Sequence, residues 1–246
     1  MKKAIAFLTA ILMVTSFAWA QEDDEKENGQ KREKTTSSKR VEANLTVAFP
    51  MNFGFVTPMG LDYLGSWTTA TPSNFLDSKL FQNFVYSIDF VGVKVGVKSN
   101  GLDGRLSLRG TYMNYVFNNT DVTFDGTTPV SVAALNPSYD GKKSKLVACY
   151  LGIPFRLTYK IDKAKFYAGA GADYMVYGFS KYRNIDGKPK YVRTGNQDIF
   201  NKLRGSVEAG ISYGSIGVWA SYSFTPFFDP SLSNARLLSF GLSLGI

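Results

Sequence analysis

From Val41 to the end of the chain, apolar and polar residues alternate with a period of two, the signature of strands whose two faces meet unlike surroundings. The first run is the clearest: Val41, Ala43, Leu45, Val47, Phe49, Met51, Phe53 and Phe55 are apolar, with Glu42, Asn44, Thr46, Asn52 and Gly54 between them. The pattern returns at Val147, Cys149, Leu151, Ile153, Phe155, Leu157 and Tyr159, at Leu203 to Tyr213, at Ile216 to Phe224, and at Phe240, Leu242, Leu244 and Ile246. It predicts eight strands, at roughly 41–56, 80–98, 105–118, 144–161, 164–183, 201–213, 215–226 and 236–246. Their connections alternate in length: 99–104, 162–163 and 214 are tight, whereas 57–79, 119–143, 184–200 and 226–235 are longer. An up-and-down sheet then gathers every long loop at one end, the asymmetry of bacterial outer-membrane barrels with short periplasmic turns. The expected fold class is all-β, an eight-stranded antiparallel up-and-down transmembrane β-barrel over 41–246.

The second strand breaks the alternation. Phe84, Tyr86, Ile88 and Phe90 are apolar at even positions, but Val91, Val93, Val95 and Val97 are apolar at odd ones. An uninterrupted strand would turn either Asp89 or Lys94 and Lys98 toward lipid, at about 2–4 kcal/mol for a cation near the midplane. A β-bulge near Phe90 to Gly92 is predicted, one extra residue that resets the face. The polar face is rich in small residues, among them Gly169, Gly171, Ser206, Gly210, Ser212, Gly217, Ser221, Ser223, Gly241, Ser243 and Gly245. A water-facing surface favours long polar side chains, whereas the interior of a narrow barrel needs small ones, so this face is expected to turn inward. Aromatics such as Phe49, Phe84, Tyr86, Tyr112, Tyr159, Tyr174, Tyr213, Tyr222 and Phe224 lie toward strand ends on the apolar face, where interfacial girdles belong.

Ahead of the alternating region, Lys2 and Lys3, the apolar run from Ala4 to Phe17, and Ala18-Trp19-Ala20 have the three parts of a cleaved signal peptide over 1–20. Residues 21–40 carry six acidic and six basic side chains with no aromatic or branched aliphatic one, which predicts a disordered, charged periplasmic lead-in. Export then follows, to the cell outer membrane. The formal net charge of +8 is spread along the chain rather than gathered in a stripe, and no nucleic-acid partner is expected.

The signal peptide, Tyr150-Leu151-Gly152-Ile153-Pro154-Phe155, Phe166-Tyr167-Ala168-Gly169-Ala170-Gly171 and Ser239-Phe240-Gly241-Leu242 together resemble the PorT-like outer-membrane β-barrel family of the Bacteroidetes, over about Val41 to Ile246. The resemblance implies an outer-membrane location and, since some members of that family serve protein secretion and gliding, an envelope or secretion-system protein as a partner.

Histidine is absent from the chain, which removes the usual general base, and with one cysteine the common zinc ligand sets cannot form. Neither an enzyme, a metal site nor a cofactor is expected. The constellation that stands out is on the inward face: Asp89, Arg109, Arg156, Asp173, Arg204 and Glu208 are expected to pair in a luminal charge network, with Arg109, Arg156 and Glu208 at similar distances from their turns. Such a network either plugs the barrel or lines a gated path for protons or solutes, and the narrow bore of eight strands favours the plug. Tyr63, Trp67, Phe75, Tyr191 and Phe228 are the expected loop contacts for a partner. The functional expectation is a closed membrane anchor or interaction scaffold in outer-membrane lipid; the alternative is a small porin-like channel.

Overall fold

The computed structural model describes residues 41–46, 49–60, 76–97, 101–125, 128–135, 141–184 and 197–245. The expected signal peptide and lead-in, and Tyr63, Trp67, Phe75 and Tyr191 of the long loops, lie outside the described residues. The strands are β1 (Val41–Thr46), β2 (Met51–Met59), β3 (Phe84–Val97), β4 (Leu102–Val116), β5 (Val122–Asp125), β6 (Thr128–Ser131), β7 (Gly141–Ile161), β8 (Ala164–Asn184), β9 (Leu203–Tyr213), β10 (Ile216–Ser223) and β11 (Arg236–Leu244). A single-turn helix, α1 (Val132–Leu135), follows β6.

All the pairings are antiparallel, and they close. Each of β3, β4, β7, β8, β9, β10 and β11 pairs with the next in turn, and β11 returns to β2, which pairs with β3. The first predicted strand is two segments rather than one. Both β1 and β2 pair with β3, and between them lies Pro50, which has no N–H to give a ladder and offers its carbonyl to the Asp89 amide at 3.0 Å. Counting β1 and β2 as one stave, the wall has eight. The hairpin of β5 and β6 stands apart from it.

The extra residue of the second stave is Phe90. Asp89 faces Arg109 and Val91 faces Leu108, so Phe90 has no partner on β4 and the face changes across it. Before it, Val85, Ser87 and Asp89 are buried; after it, Gly92 is. The Phe90 ring lies outside over Gly110, where a Cβ would come within 2.9 Å of the ring.

In the half of the wall next to the tight turns, most outward residues are apolar and exposed while most inward ones are small or polar and buried. Leu203, Val207 and Ile211 of β9 are exposed, with Arg204, Glu208 and Ser212 buried between them; on β10 and β11, Ile216, Val218, Phe240 and Leu242 are exposed, with Gly217, Ser239 and Ser243 buried. A protein in water does not display an apolar belt around its whole girth. Hydrocarbon does not penalise it.

Val207, about midway along β9, tests this sidedness. Val207→Arg should lower the unfolding free energy in lipid vesicles by about 2–4 kcal/mol, the midplane cost of a cation. A water-soluble barrel would take this exposed substitution within about 0.5 kcal/mol.

Candidate functional site in the barrel lumen

The inward faces of β3, β4, β7 and β9 bring together Asp89, Arg109, Arg156 and Glu208, all buried. Arg109 donates from Nε to Asp89 Oδ1 at 2.6 Å and from Nη1 to Glu208 Oε2 at 2.8 Å. Arg156 donates from Nη1 to Asp89 Oδ2 at 3.1 Å and from Nε to Glu208 Oε1. Each arginine thus holds both acids and each acid both arginines, a closed ring of two positive and two negative charges. Planar guanidinium forks suit such bridging because their donors point in fixed directions.

Asp173 and Arg204 form a second unit. Arg204 reaches Asp173 Oδ2 from Nε at 2.9 Å and from Nη2 at 2.6 Å, and its guanidinium stacks 4.6 Å from the centre of the Tyr150 ring. The six expected residues therefore all turn inward but divide into a four-membered ring and a separate pair. Glycines leave the space they need. A Cβ on Gly152 would fall 1.8 Å from Asp173 Oδ1, and one on Gly169 would meet the Arg156 stem at 3.1 Å. Arg156 also lies 5.2 Å from the centre of the Tyr167 ring, which in turn covers Gly210. Around the charges the lumen is lined by small polar groups, including Ser87, Ser107, Ser212 and Ser243, with Asn52 donating to Ser87 Oγ at 3.3 Å.

Toward the long loops the inward face changes character. Past Thr111, β4 presents Met113 and Tyr115 and then Phe117; β7 presents Tyr150, Ala148 and Leu146; and all are buried. They meet Leu76, Val122, Phe124, Ile199, Phe200, Phe227 and Phe228 in one apolar cluster. Tyr115 stacks on Phe227 at 5.8 Å and meets Phe117 edge-on at 5.2 Å, while Phe227 and Phe228 meet at 5.0 Å. The Tyr115 hydroxyl donates to the Leu76 carbonyl at 2.5 Å, so the phenol is satisfied inside the cluster. Inward serines fasten the β5–β6 hairpin here: Ser144 Oγ donates to the Val122 carbonyl at 2.5 Å and Ser180 Oγ to the Phe124 carbonyl at 3.1 Å.

This cluster corrects one expectation from the sequence. Phe228, expected as an exposed loop contact, is fully buried, because the backbone at Phe200 and Phe228 pairs and turns the ring into the apolar cluster. A trace of the cluster was present in the chain: Leu146-Val147-Ala148 is apolar without alternation, as a strand covered on both faces reads.

A closed antiparallel wall, apolar outside and polar inside, with tight turns at one end and long connections at the other, defines the architecture. The molecule is a small outer-membrane type of β-barrel. No protein-family model and no curated protein matches the chain, so the resemblance to the PorT-like family stands on its motifs alone. Among solved structures, Neisserial surface protein A, known from a crystal structure, is 13% identical with a TM-score of 0.36, over 82% of this chain and 99% of that one. A structure described as "Asymmetric conductivity of engineered proteins" covers the same shares at 8% identity and a TM-score of 0.12. Likeness at that level decides nothing; strand pairing and sidedness do.

Two substitutions probe the two halves of the filling. Glu208→Ala leaves two arginines facing one acid and should destabilise the barrel by about 3–5 kcal/mol, read from thermal unfolding of the refolded protein in detergent. Phe228→Ala should cost about 3–5 kcal/mol in the same measurement, as a large void in a packed core does; a ring that merely awaited a partner could be removed without loss.

Proposed function

We propose that this protein is a closed anchor in the outer membrane, a rigid barrel that carries its long loops and its charged lead-in to another protein of the cell envelope. The observation that carries this reading is the double filling of the bore. A neutral ring of two arginines and two acids occupies it on the side of the tight turns, and an aromatic cluster occupies it on the side of the loops. An ion crossing such a bore would have to displace paired charges and then enter an apolar region, and both steps are costly.

Export by a signal peptide and a role beside a secretion system are part of the proposal. They draw support from the basic, apolar and small-residue order of 1–20 and from the PorT-like motifs. In this reading the protein does no catalysis of its own: its chemistry is the holding of a position in lipid and the display of loops.

The other reading, a small channel, draws on buried luminal polar atoms that take no hydrogen bond from the protein, among them Asn52 Oδ1, Thr111 Oγ1 and Ser212 Oγ. Such atoms suit a bore that admits some water. Current separates the two readings. The mature protein reconstituted in a planar lipid bilayer should give no steady unit conductance above the bare membrane; reproducible ohmic steps would establish the channel and end the anchor reading. Cross-linking in the native envelope should in turn join the barrel to one protein in fixed stoichiometry.

A further inference from the structure

The seam that closes the barrel stops short of one strand. Its last rung sets Leu244 of β11 opposite Met51, whereas β1 lies farther toward the tight turns, with Val41 opposite Val97 and Thr46 opposite Gly92. Among the described residues β3 is its sole ladder partner, and no backbone hydrogen bond from a turn or loop reaches it. One edge of this six-residue strand is therefore open. Successive residues of a strand turn their N–H and C=O to opposite sides, so about half of the backbone groups of β1 point away from β3.

Hydrocarbon does not tolerate an open edge, because nothing there replaces the missing hydrogen bonds. That places β1 at the periplasmic rim, within reach of water and of other chains. Edges that are meant to stay single are blunted by proline, lysine or a bulge. Val41–Thr46 contains neither proline nor lysine, and its register with β3 runs unbroken. The edge is fit to pair.

Sequence says what would pair with it. Alternation assigns Val41, Ala43 and Leu45 to one face and Glu42, Asn44 and Thr46 to the other, and Leu45 is exposed. A strand laid alongside continues both faces when it alternates in the same way. Charge adds a direction. Residues 31–40, which lead into Val41, carry five basic side chains and one acidic one. Every rung of the wall is antiparallel, and a strand added in the same sense ends beside Val41. Acidic residues after that C-terminal end would then meet the basic run.

We infer that the open edge of β1 receives, by strand addition, an extended segment of a periplasmic protein that alternates in polarity and is followed by acidic residues. The inference rests on the anchor reading and deepens it, since it names how the partner is held. A second copy does not fit the edge. Two barrels inserted with the same polarity and related by an axis along the membrane normal would bring their β1 strands together at twice the strand tilt, about 80°, too steep for a ladder. The chain's own residues 21–40 have no aromatic or branched aliphatic side chain to set beside Leu45.

The test uses the barrel from Gln21 onward, refolded in detergent, and a fluorescent peptide with the sequence of residues 92–97 followed by a run of aspartates. β1 already pairs with that sequence in β3. Fluorescence anisotropy should show the peptide bound at least about tenfold more tightly than one of the same composition in scrambled order. Methylating the backbone nitrogens of alternate residues strips the donors from one edge of the peptide at a time. One such peptide should bind like its parent, and the other at least about tenfold more weakly, on the scale of a few lost hydrogen bonds. Equal binding of the two would overturn strand addition. Removing the aspartates should weaken binding and its dependence on salt; unchanged affinity would overturn the acidic assignment.

On the protein side, Ala43→Pro and Asn44→Pro each delete one N–H, one from the open edge and the other from the ladder with β3. Both should lose the peptide and keep the heat-modified gel mobility of a closed barrel, since β1 lies outside the closing seam. Wild-type affinity in both would overturn the site, and the methylated peptides decide the matter on the unaltered protein should either variant fail to fold. Lys160→Gln/Lys163→Gln removes charge elsewhere at the tight turns and should match the wild type. Failure of every peptide to bind refutes the edge alone, whereas steady conductance refutes the anchor reading whatever the peptides do.

Discussion

Eight staves enclose a bore only wide enough for side chains, and a charge placed there has little water to solvate it. The pairing of Arg109 and Arg156 with Asp89 and Glu208 answers that constraint, and much of the wall follows from it. Four staves must present a long polar side chain inward at one level, each guanidinium must reach two carboxylates, and the sum of the charges must vanish. Space for these side chains has to come from neighbours without any, which is why Gly169 lies against Arg156 and Gly152 beside Asp173. The bulge at Phe90 belongs to the same requirement. Asp89 and Lys94 differ by an odd number of positions, so a regular strand could not turn both of them away from lipid.

Along the axis the filling uses two chemistries, and each is suited to its surroundings. Where lipid covers the wall, the outside is already apolar, and a polar interior gives each stave unlike faces and hence one register. Beyond the lipid, the extended β7 and β8 have water within reach, and their inward side is stabilised as a soluble domain is, by packed aromatics under a hairpin tied down through Ser144 and Ser180. The loop-end surface is therefore a platform rather than a set of free loops where it is described. A rigid platform loses little conformational entropy on meeting a partner.

Much of this was legible in the order of residues, because a strand between oil and a polar core must alternate. The runs beginning at Val147, Leu203 and Ile216 required no knowledge of their neighbours, and the broken phase at Val91 located an irregularity before any pairing was known. The inward direction of the charged residues followed from the same alternation. What alternation does not contain is height. Arg204 was expected in one network with the others, yet it meets Asp173, because the shear of the barrel raises the direct ladder partner of one residue above another's. Phe228 was misread for a related reason. A ring between strands carries no periodicity of its own, and whether it faces water depends on which distant strand end its loop returns to.

By itself, then, the sequence determined the element type, the number of staves, the inward and outward faces and the position of the bulge, since all of these are set by contact with one of two surroundings and are written locally. Closure, the partition of six charges into a ring and a pair, and the aromatic cluster were decided only by the tertiary structure. Each depends on register between residues far apart in the chain, such as Arg109 and Glu208 or, at the closing seam, Met51 and Leu244, and register is a property of pairs of strands that no single strand records.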